Sequence, residues 1–177
     1  MSNKGFTMIE LLVVMGVIVI FTSIFFVDYG GDSKTFALER SVNKLAQDLR
    51  RTQEMAMTGL IGDANTNAYG MYFDKVNASK SYIVYKNNDS VYTYDSSSDS
   101  IKETISLEKG LKICDILIGT GSVNTLSLSF VPPEPTNYIN TYYSGYEASV
   151  VLCVENDEAK TRRVKINNTG RIETVNP

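Results

Sequence analysis

The sequence predicts an α+β protein: an N-terminal transmembrane helix, an amphipathic helix after it, and an antiparallel β-sheet domain on which the second helix packs. Three observations predict this. Residues 11–27 contain no charged side chain. Residues 38–56 place apolar side chains at alternating spacings of four and three, the period of one helix face. Beyond residue 62 the pattern changes to short runs rich in Tyr, Val and Ile, separated by Asn, Gly, Pro and Ser.

Counted from Phe6, the apolar stretch to Val27 would span about 33 Å as a helix at 1.5 Å per residue. A bilayer's hydrocarbon core is about 30 Å thick. Residues 11–27 hold 13 Leu, Ile, Val or Phe residues. Together these contribute about −4 to −8 kcal/mol to insertion. One acidic residue at a helix centre costs about 2.5 to 3.5 kcal/mol, and less near an end. The segment therefore inserts despite Glu10. Lys4 is the only charged residue before Glu10, so the N-terminus stays cytoplasmic and the rest of the chain lies outside. The apolar core is too long for an ordinary secretory signal, and no small-residue cleavage pattern follows it.

Residues 28–33, Asp-Tyr-Gly-Gly-Asp-Ser, interrupt the helical pattern, and Gly30-Gly31 predicts a kink or short break. Asp32 or Ser33 is placed to cap the next helix. In residues 33–58 the apolar stripe is Leu38, Val42, Leu45, Leu49, Thr52 and Ala56. Gly59 and Gly62 mark the helix end. Strands are expected at residues 69–73, 81–86, 90–94, 111–118, 125–131, 146–155, 162–166 and 171–175. Asn87-Asn88-Asp89 reads as the turn of a hairpin joining 81–86 to 90–94. Residues 96–100 read as a polar loop, and Asn167-Asn168-Thr169-Gly170 as a turn. Pro132, Pro133 and Pro135 predict a long exposed loop to about Ser144.

Composition excludes several classes. Formal net charge is −3 and the sequence pI is about 5.0, so there is no global attraction to nucleic acid or anionic lipid. Histidine is absent, which removes Ser-His and Cys-His nucleophile pairs and the commonest metal ligand. Neither a cofactor nor a metal site is expected. The Asp95–Asp99 region lacks the ligand set and glycine turn of a calcium loop. The two cysteines, Cys114 and Cys153, leave two readings open: one disulfide in an exported chain, or two separate buried thiols.

Glu10 is the anomaly, because a carboxylate within an apolar spanning segment is a functional hypothesis by default. Were the chain cut after Gly5, a new α-amine would appear at Phe6, one helical turn from Glu10. A neighbouring helix shifted by about a turn would offer its own amine to this carboxylate. That pairing would offset desolvation and set the stagger between subunits.

Residues 4–14, Lys-Gly-Phe-Thr-Met-Ile-Glu-Leu-Leu-Val-Val, resemble the prepilin processing motif of type IV pilins and type II secretion pseudopilins. The resemblance implies cleavage between Gly5 and Phe6 by prepilin peptidase, N-methylation of Phe6 by the same enzyme, and contact between Glu10 and the Phe6 amine of an adjacent subunit. It implies other pilin or pseudopilin subunits, an inner-membrane assembly platform and the lipid bilayer as partners. It divides the chain into a leader (1–5), a transmembrane and assembly helix (6–27), a linker with the amphipathic helix (28–59) and a globular β domain (60–177). Members of this family often run one long helix through residues 28–33.

Downstream, LAQDLRRTQEMAM, YGMYF and VKINNTGRIE resemble the minor GspH/FimT-like branch. In DNA-uptake members a C-terminal Gly-Arg lies near the DNA contact, and Gly170-Arg171 matches part of that pattern. With Arg162, Arg163 and Lys165, Arg171 forms a basic cluster. Against DNA, Glu173 stands where a second basic residue is expected, and strand alternation separates Arg162 from Arg163 and Lys165. A solvated strand edge is the better reading. The expected function is therefore structural and not enzymatic: a subunit, of the minor kind, of a type IV pilus or type II secretion pseudopilus. The alternative is a minor pilin that binds DNA.

Overall fold

The computed structural model describes residues 5, 7–58, 68–132, 137–140 and 147–175, with backbone alone for 24–32. The chain divides into two compact units, Met1–Phe36 and Ala37–Pro177. One helix, α1, is assigned from Met8–Met57. The break predicted at residues 28–33 is absent from its backbone. Two glycines cost about 1 kcal/mol each in a helix, but unlike proline they keep the N–H that continues its hydrogen bonding. The Gly59–Gly62 helix end lies outside the described residues.

The second unit packs α1 from Ala37 onward against two five-stranded antiparallel sheets. The strands are β1 (Ala68–Asp74), β2 (Ser81–Asn87), β3 (Ser100–Ser106), β4 (Leu111–Ile118), β5 (Gly121–Ser122), β6 (Thr125–Phe130), β7 (Asn137–Ile139), β8 (Glu147–Val154), β9 (Asp157–Asn167) and β10 (Ile172–Val175). The first sheet has the order β3-β2-β1-β6-β7, and the second β10-β9-β8-β4-β5.

The predicted apolar stripe is the buried face of α1. Leu38, Leu45, Thr52 and Ala56 are fully buried, and Val42 and Leu49 nearly so. The five apolar ones join one core with Tyr69, Met71 and Phe73 of β1, Leu126, Leu128 and Phe130 of β6, and Val150, Leu152 and Val154 of β8. Alternation along β1, β6 and β8 gives that inward face. Polar links tie the helix to several elements. Arg40 makes a two-pronged bond to Glu108 at 3.1 and 2.8 Å, and Arg51 meets Glu103 at 3.1 Å. These exposed pairs contribute little stability.

The bond from the Tyr82 hydroxyl to Asp48, 2.6 Å long, differs because Tyr82 is 2% exposed. Burial first, and then Asp48, push the Tyr82 hydroxyl far above the ordinary phenol range. It stays a protonated donor at any working pH. Tyr82→Phe keeps the ring against Phe73 and removes this donor. The expected loss is about 1–2 kcal/mol of domain stability, read from the denaturant midpoint of the full chain.

Two strand expectations need correction. Residues 90–94 do not pair with β2, which lies between β1 and β3; β3 falls in a span where no strand is expected. The turn residues themselves explain the difference. The Asn87 amide donates to Asp89 at 3.2 Å and to the Val91 carbonyl at 2.8 Å, and the Val91 N–H donates to Asp89 at 2.9 Å. These side-chain bonds turn the chain out of the sheet plane. It then crosses the outer face of the first sheet, where the Tyr94 N–H donates to Ser127 and the Ser129 hydroxyl to the Tyr92 carbonyl. Tyr92 lies on Tyr138, and Tyr94 on Tyr72 and Tyr85.

The second correction is β7, which replaces part of the loop predicted after the prolines. Asn137 and Ile139 are buried, and Ile139 pairs with Leu128. An edge strand can begin just after prolines because one side of its ladder is not needed.

Candidate functional site

α1 begins where its first amides find an acceptor. The Glu10 N–H donates to the Thr7 hydroxyl at 3.3 Å, and the Leu11 N–H to the Thr7 carbonyl at 3.2 Å. Thr7 is thus the N-cap, at the Thr-x-x-Glu spacing of a capping box. In the sequence the signal for this role is the three-residue spacing from Thr7 to Glu10. Glu10 sits in the first turn, where the helix dipole favours an anion. Its carboxylate makes no ion pair among the described residues. Gly5 is exposed. Phe6 lies outside the described residues, so its relation to Glu10 is an expectation from spacing alone.

The surface around Glu10 is apolar and uncovered. Met8 is 92% exposed and Ile9 70%, and large apolar side chains stay exposed through Phe21. A soluble monomer rarely leaves so much contiguous apolar surface in water, so the surface marks a contact with lipid or another chain. The two hydroxyls in this stretch are satisfied internally: Thr22 donates to the Ile18 carbonyl and Ser23 to the Val19 carbonyl, both at 2.7 Å. Glu10 remains the one charge on this face. Among the described residues, no helix is long and apolar enough to cross a membrane. The predicted span of residues 6–27 runs past the described side chains, which stop at Ser23. From Met8 to Ser23, α1 covers roughly 24 Å.

The C-terminal basic cluster is not assembled as one patch. Arg162 points to α1 and meets Glu39 at 3.5 Å. Lys165 pairs with Glu147 at 2.6 Å and Arg171 with Glu173 at 2.5 Å. Glu173 also stands opposite Lys165 across β9 and β10. Positive and negative groups alternate there, around a small cleft of about 140 Å³.

Cys114 and Cys153 form a disulfide between β4 and β8, with Cα atoms 5.8 Å apart. Among the described residues, no group of three or more acidic or Cys side chains is placed to hold a metal ion. In residues 88–99 the carboxylates serve the backbone instead. Asp95 accepts from Ser97, and Asp99 from Asn88 and Asp95.

Residues 1–26 match the family model described as the prokaryotic N-terminal methylation motif. The match covers the N-terminal segment alone, 26 of 177 residues, and includes Gly5, Phe6 and Glu10. No curated protein matches the sequence. Two solved structures are similar. One is the type IV minor pilin FimU of Pseudomonas aeruginosa, at 12% identity and TM-score 0.48, over 78% of this chain and 88% of that one. The other is the minor pseudopilin EpsH from the type 2 secretion system of Vibrio cholerae, at 14% identity and TM-score 0.45, over 79% of this chain and 97% of that one. Both likenesses are too low for residue roles to pass across.

Proposed function

We propose that this chain is a minor, non-enzymatic subunit of a type IV pilus or type II secretion pseudopilus. The observation that carries the reading is Glu10: among the described residues it makes no ion pair, and it is the one charge on the exposed apolar stretch from Met8 to Ser23, within a matched methylation motif. In the precursor the helix lies in the cytoplasmic membrane, with its N-terminus inside and the β domain outside. A prepilin peptidase cuts between Gly5 and Phe6 and methylates the new Phe6 amine. With the assembly platform's help, the helix then leaves the bilayer and packs among other pilin or pseudopilin helices. There Glu10 pairs with a neighbour's Phe6 amine, and the second unit faces outward.

This sequence of states explains why the apolar face is uncovered in a single chain. It is solvated first by lipid and later by sister helices, and both environments exclude water. Mass spectrometry of the mature protein tests the reading. The expected result is loss of residues 1–5 and one added methyl group at Phe6. An intact N-terminus on protein recovered from filaments would overturn it.

A further inference from the structure

A cross-sheet contact depends on one irregularity in β4. Ile113 stands opposite Leu152, but Asp115 stands opposite Val151. Cys114 is therefore an extra residue, a β-bulge, and it is the residue bonded to Cys153. A bulge moves every later side chain to the other face of its strand. The first side chain redirected is Asp115. Its carboxylate accepts from the Lys75 ammonium at 2.8 Å and from the Ser122 hydroxyl at 2.6 Å. Lys75 also donates to Ser122 at 2.7 Å.

Lys75 follows β1 in the first sheet, whereas Asp115 and Ser122 belong to the second. The Lys75 side chain is only 19% exposed. The bond from the Ile113 N–H to the Ser79 carbonyl, at 2.7 Å, places the same turn against β4 just before the bulge. Burial raises the Asp115 carboxyl, but bonds from Lys75, Ser122 and the Ile116 N–H outweigh it and hold the group below the ordinary range. Asp115 is thus ionised and engaged at neutral pH.

We propose that the Cys114–Cys153 disulfide is a redox latch: it holds the β4 bulge, and through it sets Asp115 against Lys75 to clamp the two sheets together. The latch closes after export. The two thiols lose two protons and two electrons to the disulfide of a thiol–disulfide oxidoreductase, which leaves as a dithiol. With the thiols reduced, β4 is no longer pinned to β8 at the bulge, and the Asp115 carboxylate is no longer held against Lys75.

Amine acylation of the full chain in detergent, followed residue by residue by mass spectrometry, tests this. In the oxidised protein Lys75 is expected to react slowly. Reduction, verified by thiol counting, should speed Lys75 about tenfold, the factor of a modest charge-assisted hydrogen bond. Lys102, which lies over the Tyr69 ring on the far strand of the first sheet, should keep its rate. Asp115→Asn in the oxidised chain should expose Lys75 as reduction does, and reducing that variant should add nothing more. An unchanged Lys75 rate on reduction overturns the latch. So does an equal rise at Lys75 and Lys102, which would make the disulfide a general staple.

Discussion

Glu10→Ala is expected to leave the precursor in the membrane and processed, but to cut its incorporation into filaments at least tenfold. Removing the carboxylate removes a cost of about 2.5 kcal/mol or less for this end position, so insertion improves. Assembly loses more. In the proposed filament the carboxylate meets the amine of a neighbouring Phe6 in a medium without water, where removing one partner of a buried ion pair costs about 3–5 kcal/mol. A tenfold change needs only about 1.4 kcal/mol, so even a partly solvated pair accounts for the predicted defect. Fractionating cells for membrane and sheared filament separates the two steps. Normal incorporation of the variant would sink the Glu10–Phe6 pairing while leaving the processing reading intact. Glu10→Gln sharpens the result, because it keeps shape and hydrogen bonding but not charge. If charge is the cause, Gln should be nearly as defective as Ala.

Features that depend on neighbours in sequence were legible; those that depend on partners far along the chain were not. The stripe from Leu38 to Ala56 was readable because burial repeats with the helix turn, and all six positions are buried. β4 starts and stops at the expected residues because apolar side chains mark both ends, Leu111 at one and Ile116-Leu117-Ile118 at the other. The motif at residues 4–14 is contiguous and needs no fold to be seen. Asn87-Asn88-Asp89 misled because the same side-chain bonds that close a hairpin can also lift a chain out of its sheet. The Tyr82–Asp48 and Lys75–Asp115 bonds join residues 34 and 40 positions apart. No local pattern marks either pair. Arg162 and Lys165 show the same limit: their neutralising partners Glu39 and Glu147 come from other elements.

Gly70→Ala is expected to be the most damaging single methyl added to the β domain. Gly70 sits in the middle of β1, opposite Tyr85 on one side and Ser129 on the other. A Cβ there would come within 2.6 Å of both the Tyr85 ring and the Leu128 carbonyl oxygen. The carbonyl belongs to the paired β6 backbone and has nowhere to go. The Tyr85 ring is fully buried, its hydroxyl bonds Ser129 at 2.7 Å, and Tyr94 packs on it at 5.1 Å. Glycine is needed here for space rather than for backbone conformation: the ring lies over the bare main chain. Overpacking of this kind costs about 1–3 kcal/mol, and displacing the phenol from Ser129 adds about 1–2. The sum, about 2–5 kcal/mol, is a large part of a typical domain stability of about 5–15 kcal/mol. Denaturant unfolding of the full chain measures it. A loss under about 1 kcal/mol would mean that the ring is free to move aside. In a Tyr85→Val background the Gly70→Ala penalty should fall by more than half, since two residues in contact do not add. An undiminished penalty there would put the whole clash on the Leu128 carbonyl, and would show that β1, not the tyrosine cluster above it, requires glycine.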